Sequence, residues 1–213
     1  MPSPKIWSNV QVAMQSVLAT ADTITGITKA NPGVVTSTGH GILDGEYVVL
    51  TSVGMSQLDQ RVVRAANVTA NTFELEGVDT TNFDTFTSGS CQVITFGTTF
   101  GTIKSLSGSG GDFSFVDTTT IHDSVATQIP GIASASTYSF DNIWDVADAG
   151  LIAMKAASDT KAKRAFKFTF SDGQIMVFNG YVGASLLPTG SAQDLVTTSS
   201  VVTMYGTPTY YAS

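Results

Sequence analysis

The chain has 213 residues, a net charge of −7 and only 13% charged side chains, against about 25% in ordinary soluble domains. A chain of that length buries a core without staples, and a single cysteine excludes both an internal disulfide framework and a multi-cysteine zinc site. Net acidity argues against a nucleic-acid grip, which needs clustered Lys and Arg, and no apolar run nears the roughly 18 to 20 residues that span a bilayer.

The first stretch, MPSPKIWSNVQVAMQ, lacks the apolar core of a signal peptide. From there the first half reads as short strands broken by turns. TITGIT (23–28) leads to the turn Asn31-Pro32-Gly33 and then to VVTST, and Asp44-Gly45 is a hairpin signal before EYVVLTSV. RVVRAANVT (61–69), a short Ala-Asn turn and TFELEGV (72–78) follow. A polar link, DTTNFDTFTSGS, runs into CQVITFG, where Cys91 reads as a buried small apolar residue. Six short strands at regular spacing predict a small antiparallel β module over about residues 24–96.

The second half has a different rhythm. SLSGSGGD (105–112) reads as a flexible connection and FSFVD as a short strand. After TTTIHDSVAT and the QIPGI turn, STYSFDNIW (136–144) alternates as a strand. DVADAGLIAMKAAS (145–158) is the one clear helix. Asp145 or Asp148 can cap it, Val146, Leu151, Ile152 and Met154 supply an apolar face, and Gly150 weakens its first turn. The cations Lys161, Lys163, Arg164 and Lys167 then read as a solvated helix end. AFKFTF (165–170) alternates strictly, Ser171-Asp172-Gly173 turns the chain, and QIMVFNGYV (174–182) returns. The face with Phe166, Phe168 and Phe170 is expected to pack on the helix through Leu151, Ile152 and Met154. Lys167, Thr169, Gln174 and Met176 are expected on the opposite face. A loop precedes the last strand, VTTSSVVTMYG (196–206). The fold class is mainly β (α+β), a β-sandwich or barrel with one packed helix plus a small antiparallel β module.

Candidate chemistry is sparse. FVDTTTIHDS (115–124) gathers Asp117, His122, Asp123 and Ser124, the letters of a hydrolase or a metal site. Triad members meet by folding, not by spacing, and neither a G-x-S-x-G elbow nor a second histidine at ligand spacing is present. His40, between two glycines, reads as a turn residue. SGSGGD lacks the Lys-Ser/Thr and the helix of a phosphate loop. Trp7 and Trp144 read as core or interface anchors. No residue is assigned to catalysis, to a metal or to a cofactor. A low-charge surface rich in Ser and Thr suits a protein covered largely by copies of itself.

The ordered set TTTIHDSVATQIPGI, STYSFDNIWD, the helix, AKRAFKFTFSDGQIMVFNGYVGASLLPTG and VTTSSVVTMYGTP resembles the major tail tube proteins of long-tailed, siphovirus-type phages. Three features carry the likeness: an acid-rich loop before an IPG turn, a helix between two strands, and the hairpin pattern F-x-F-x-D/N-G-x-x-x-x-F-x-G-Y/W-V. The likeness places a tail tube domain in 1–23 and 97–213, with 24–96 inserted. The inserted part is similar to a small β module of many phage structural proteins, also likened to the first catalytic-cysteine half-domain of ubiquitin-activating enzymes. That likeness implies fold, not ubiquitin chemistry.

The resemblance implies a structural virion protein, not an enzyme, made in the host bacterial cytoplasm. It implies hexameric rings of the chain that stack into a hollow tube for genome delivery. The implied partners are other copies, the tape measure protein, and the tail terminator and distal tail proteins. Passing DNA is touched only transiently, and there is no membrane insertion. Asp117, His122, Asp123, Ser124 and Pro130 are then expected at subunit contacts, and Lys167, Thr169, Gln174 and Met176 on a lumen-facing hairpin. An acidic lumen, in keeping with the net −7, would repel phosphate. The alternative is a β-rich virion decoration or adhesin, or a tail-end relative of the tube subunit.

Overall fold

The computed structural model describes residues 8–212; Trp7 and the start of the expected tube domain lie outside them. In chain order the strands are β1 (Gln11–Met14), β2 (Val17–Leu18), β3 (Asp22–Ile24), β4 (Gly26–Ile27), β5 (Val34–Thr36), β6 (Tyr47–Val53), β7 (Val62–Ala66), β8 (Thr72–Leu75), β9 (Ser88–Thr95), β10 (Thr98–Thr99), β11 (Ile103–Ser109), β12 (Phe113–Asp117), β13 (Gln128–Ala133) and β14 (Thr137–Ile143). Helix α1 (Ala149–Thr160) follows, then β15 (Lys163–Thr169), β16 (Ile175–Ala184) and β17 (Thr197–Tyr211). The fold is mainly β with one α-helix, as the sequence pattern implies.

A seven-stranded antiparallel sheet has the order β10-β1-β15-β16-β17-β14-β11. Its edge strands, β10 and β11, are separated in the chain by only Phe100, Gly101 and Thr102. Six gaps of about 4.8 Å would hold the edges of a flat sheet about 29 Å apart, yet four Cα steps reach at most about 14 Å. The sheet is therefore rolled into a nearly closed barrel, with a seam between β1 and β11. Its interior is aromatic: Phe140, Phe166, Phe168 and Phe178 are fully buried with Met14, Met154 and Val202. The hairpin of β15 and β16 turns at Ser171-Asp172-Gly173, where Gly173 has φ 85°. That left-handed position favours glycine in a three-residue hairpin loop.

Helix α1 packs on this core through Gly150, Leu151, Met154 and Ala157. Asp148 is the cap, its Oδ1 accepting from the Leu151 N–H at 2.8 Å, while Asp145 accepts from the Ala147 N–H at 2.9 Å just before the helix. Two residues of the expected apolar face point elsewhere. Ile152 is 51% exposed because it sits about 100° round the helix from Leu151, and Val146 is exposed because the helix starts only at Ala149. Gly150 has a packing role: a Cβ there would lie 2.4 Å from the Phe100 ring. Lys161 ends the helix in the left-handed region, and Lys163, Arg164 and Lys167 belong to β15 rather than to a solvated helix end.

The second sheet runs β2-β9-β6-β7-β8-β5-β4, with β3 also on β9. It draws on residues 17–95, so the crossing between sheets falls at Gln15–Ser16 on entry and Phe96–Gly97 on return. Phe73, Leu50, Leu75 and Val35 form its core, and Cys91 is fully buried there, its thiol pushed up to about 11 by burial. Asp44-Gly45 forms a turn but joins no hairpin, since β6 pairs with β7 and β9 and β5 pairs with β4 and β8. This module gives no strand to the barrel. It packs on the outer surface of β15, β16 and β17, where Val49, Val62 and Ile94 meet Ala165, Val177 and Tyr211.

The joint between the two units is also polar. The Arg64 backbone N–H donates to the Tyr211 hydroxyl at 2.6 Å, the Arg61 guanidinium donates to Thr209 Oγ1 at 3.0 Å, and Thr209 Oγ1 donates to the Val62 carbonyl at 2.8 Å. The Arg64 guanidinium lies over the Tyr211 ring, 4.5 Å from its centre, and pairs with Glu76.

Candidate assembly interface

The hairpin of β11 and β14 runs on past the barrel. β11 passes through Gly110 and Gly111 into β12, and β13 returns into β14, so residues 103–143 form one ribbon with a bend partway. Gly110 and Gly111 have φ of 90° and 87°, values that favour glycine. A Cβ on Gly110 would lie 2.3 Å from the Ala135 carbonyl oxygen. The Gly111 N–H donates to the Ser134 carbonyl at 3.2 Å and to its hydroxyl at 3.1 Å, which holds the bend. The stretch 105–112, expected as a flexible connection, is thus an edge strand up to Ser109 and a built corner after it.

Beyond the corner the ribbon is a bare arm, exposed at every position from 111 to 130. Phe113, Phe115 and Pro130 stand on one face, and Val116 and Ile129 on the other. Phe115 is 63% exposed and Ile132 88%. An isolated two-stranded ribbon is marginal in water, and clustered exposed apolar side chains mark an interaction surface. Apolar residues on both faces mean that burial on one side would leave the other bare.

The tip of the arm holds the suspected site. Asp117 Oδ1 accepts from the Thr119 N–H at 2.8 Å. Asp123 Oδ2 accepts from the Thr120 N–H at 2.8 Å and from its hydroxyl at 2.9 Å. These bonds hold both carboxyls below the usual carboxylate range, through the Thr119 hydroxyl and then its N–H for Asp117, and through the Thr120 N–H and then its hydroxyl for Asp123. No hydrogen bond joins the His122 ring to either acid or to Ser124 among the described residues, and no metal-holding cluster of His, Cys, Asp and Glu occurs among them. His122 and Ser124 are solvent-exposed tip residues, and Pro130 is set in the arm opposite Phe115.

The four residues expected on one hairpin face do not share a face. Strand register puts Met176 opposite Phe168 and Lys167 opposite Val177. Met176 is 3% exposed inside the aromatic core, near the Tyr138 hydroxyl. The Phe170 N–H donates to the Gln174 carbonyl across the three-residue loop, and this register sets Met176 opposite Phe168, on the phenylalanine face rather than the Lys167 face. Lys167 lies on the outer face beneath the small module, its Nζ 5.2 Å from the Phe96 ring centre and 5.4 Å from that of Tyr47. Thr169 is half-buried on that same side.

The outer barrel face left uncovered belongs to β11, β14, β17 and the far half of β16. Register aligns Ser105, Ser107, Ser139, Asp141, Ser199, Val201, Thr203, Tyr181 and Lys163 across it. Lys163 Nζ sits 3.9 Å from the centre of the Tyr205 ring. This smooth hydroxyl-rich sheet face and the apolar arm were both missed from the sequence. Their signal was apolar letters at both parities in FSFVD and QIPGI, and serine at alternate positions of SLSGS.

A packed barrel, a satisfied turn where a catalytic site was suspected, and an arm with two bare apolar faces define a structural subunit made to be covered by other protein. The chain belongs to the phage tail tube proteins (TTP), whose family model matches residues 53–213. It is therefore a structural component of a phage tail tube, a part of the virion that assembles with copies of itself. The match begins at the last residue of β6, so β7, β8 and β9 of the small module lie inside it. No curated protein matches the chain. No helix among the described residues is long and apolar enough to cross a membrane.

Proposed function

We propose that this subunit forms hexameric rings that stack into the tube through which a siphovirus-type phage delivers its genome, with no catalytic step and no cofactor. The observation that carries this reading is the arm: its two apolar faces need protein on both sides. In a stack of rings an arm lies between neighbours, which supplies both. Partners at the ends and inside would be the tail terminator, distal tail and tape measure proteins.

Under this reading the uncovered face of β11, β14, β17 and β16 lines the lumen, replacing the hairpin face expected from sequence. Its charged groups are Asp141 and Lys163, so it is polar and nearly neutral rather than acidic. Serine and threonine hydroxyls offer passing DNA no cationic hold. The small module, on another part of the outer surface, would sit away from the lumen.

Negative-stain microscopy of the purified protein tests this. Tubes or rings of constant diameter are expected, and a Phe115→Ser/Ile129→Ser double variant should stay folded and monomeric. Monodisperse monomers of the parent protein at high concentration would overturn the reading.

A further inference from the structure

The seam of the barrel holds a cleft of about 310 Å³, lined by Val10, Val12, Phe100, Ile103, Lys104 and Leu106 among others. That is the small end of the range for pockets, too narrow for a β ribbon but wide enough for one or two aliphatic side chains. Val10, Val12, Phe100, Ile103 and Leu106 give it an apolar floor, polar groups including Asn9 and Ser105 make up the larger part of its open surface, and Lys104 is its charged residue. Lys104 has no ion-pair partner among the described residues.

The arm tip is the counterpart of this cleft. Ile121 is 96% exposed and Val125 73%. Asp117 and Asp123 flank Ile121, fixed by their turn hydrogen bonds and negatively charged. Knob and hole lie at opposite ends of the same ribbon, since the cleft is at the start of β11 and the tip follows β12. The exposure of Ile121 means that a chain does not fill its own cleft.

We propose that Ile121 and Val125 of one copy seat in the seam cleft of a second copy, with Lys104 facing Asp117 and Asp123 across the contact. The contact is heterologous, joining the tip of one copy to the seam of another, and such a contact propagates unless its rotation closes. With knob and hole separated along the ribbon, it propagates along the arm direction and links one ring to the next. This inference rests on the tube reading and assigns the contact that stacks the rings. The apolar knob supplies the affinity, as buried anchors do, while the charge pairing sets which way round the copies meet.

The test is a cysteine pair in the full-length protein, Ile121→Cys with Leu106→Cys, oxidised after assembly. Cys91 is fully buried and does not compete. A ladder of disulfide-linked multimers is expected on a non-reducing gel for the pair and not for either single variant. Tubes that form without a ladder would overturn this seat while leaving the tube reading intact. If the parent forms no assemblies at all, both fall. In a second arm, Ile121→Asp should leave rings and abolish long tubes, and long tubes from that variant would reject the proposal.

Discussion

Replacing Phe168 by alanine should destabilise the subunit sharply. Phe168 is fully buried, with ring centres of Tyr138, Phe178 and Phe140 at 5.3, 5.5 and 6.2 Å. Three ordered rings, two on β14 and one on β16, cannot collapse into the space, so the cavity term is retained and the cost is about 3–5 kcal/mol. Against a total of about 5–15 kcal/mol, and at about 2–4 °C per kcal/mol for a chain of this size, the melting temperature should fall by about 6–20 °C. The assay is thermal unfolding at a concentration too low for assembly, followed by near-UV circular dichroism, which senses the aromatic cluster. Phe115→Ala on the exposed arm is the matched control and should stay within about 0.5 kcal/mol of the parent. A fall of less than about 2 °C for Phe168→Ala would refute the placement of this residue at the centre of a rigid core.

Tyr211→Phe leaves the buried Arg64 N–H without its acceptor and should cost about 1–3 kcal/mol in chemical denaturation. Burial raises the Tyr211 hydroxyl well above its usual range, so its contribution is complete below about pH 10 and is lost as pH climbs past that value. A pH series should show the variant losing less stability above that point than the parent. Gly110→Val should re-aim the arm, because its Cβ meets the Ala135 carbonyl oxygen; tube formation should fail while barrel unfolding changes little. Asp123 is held below its usual range by Thr120, so the order it gives the tip is present above about pH 4 and lost as pH falls through the folded value. Amide exchange at Thr120 should quicken there, relative to the intrinsic acid rate, and should do so at all pH values in Asp123→Asn.

Local signals in the chain were strong where one face is buried and the other is not. AFKFTF placed its three phenylalanines on one side because alternation is the geometry of a strand, and Asp172-Gly173 marked the turn because glycine alone takes that φ cheaply. What the chain hid was non-local. Nothing in QIMVFNGYV alone says which residues of AFKFTF it faces, and the register pairs Met176 with Phe168 and so puts it on the phenylalanine face. Nothing in CQVITFG or EYVVLTSV says that Phe96 and Tyr47 will roof Lys167. The helix start was misplaced by four residues because DVAD can cap at either aspartate, and that displacement put Val146 in a face it never joins. The tip looked like chemistry because short polar turns and catalytic sites draw on the same residue types. Only the hydrogen-bond partners, Thr119 and Thr120, separate the two.

The scarcity of charge acquires a location once the surfaces are sorted. Asp112, Asp117 and Asp123 sit on or beside the arm, and Glu46, Glu74, Glu76, Asp79 and Asp84 on the small module. The uncovered barrel face is built mostly of hydroxyls, with the charges of Asp141 and Lys163 offsetting each other. A charge buried at a contact must be paired or it costs free energy, so surfaces destined for other copies or for a moving polymer are better built from serine, threonine and aliphatic groups. If the uncovered face lines the lumen, DNA passes because that face is nearly neutral and its Lys163 ammonium is engaged over the Tyr205 ring, not because carboxylates repel it. Ejection would then depend weakly on salt, whereas an acidic lumen would make it slow steeply as screening is removed. Adding one lysine per subunit at Ser139 should convert the first behaviour into salt-dependent retention of DNA. Unchanged ejection in Ser139→Lys phage across low and high salt would place the lumen on another face.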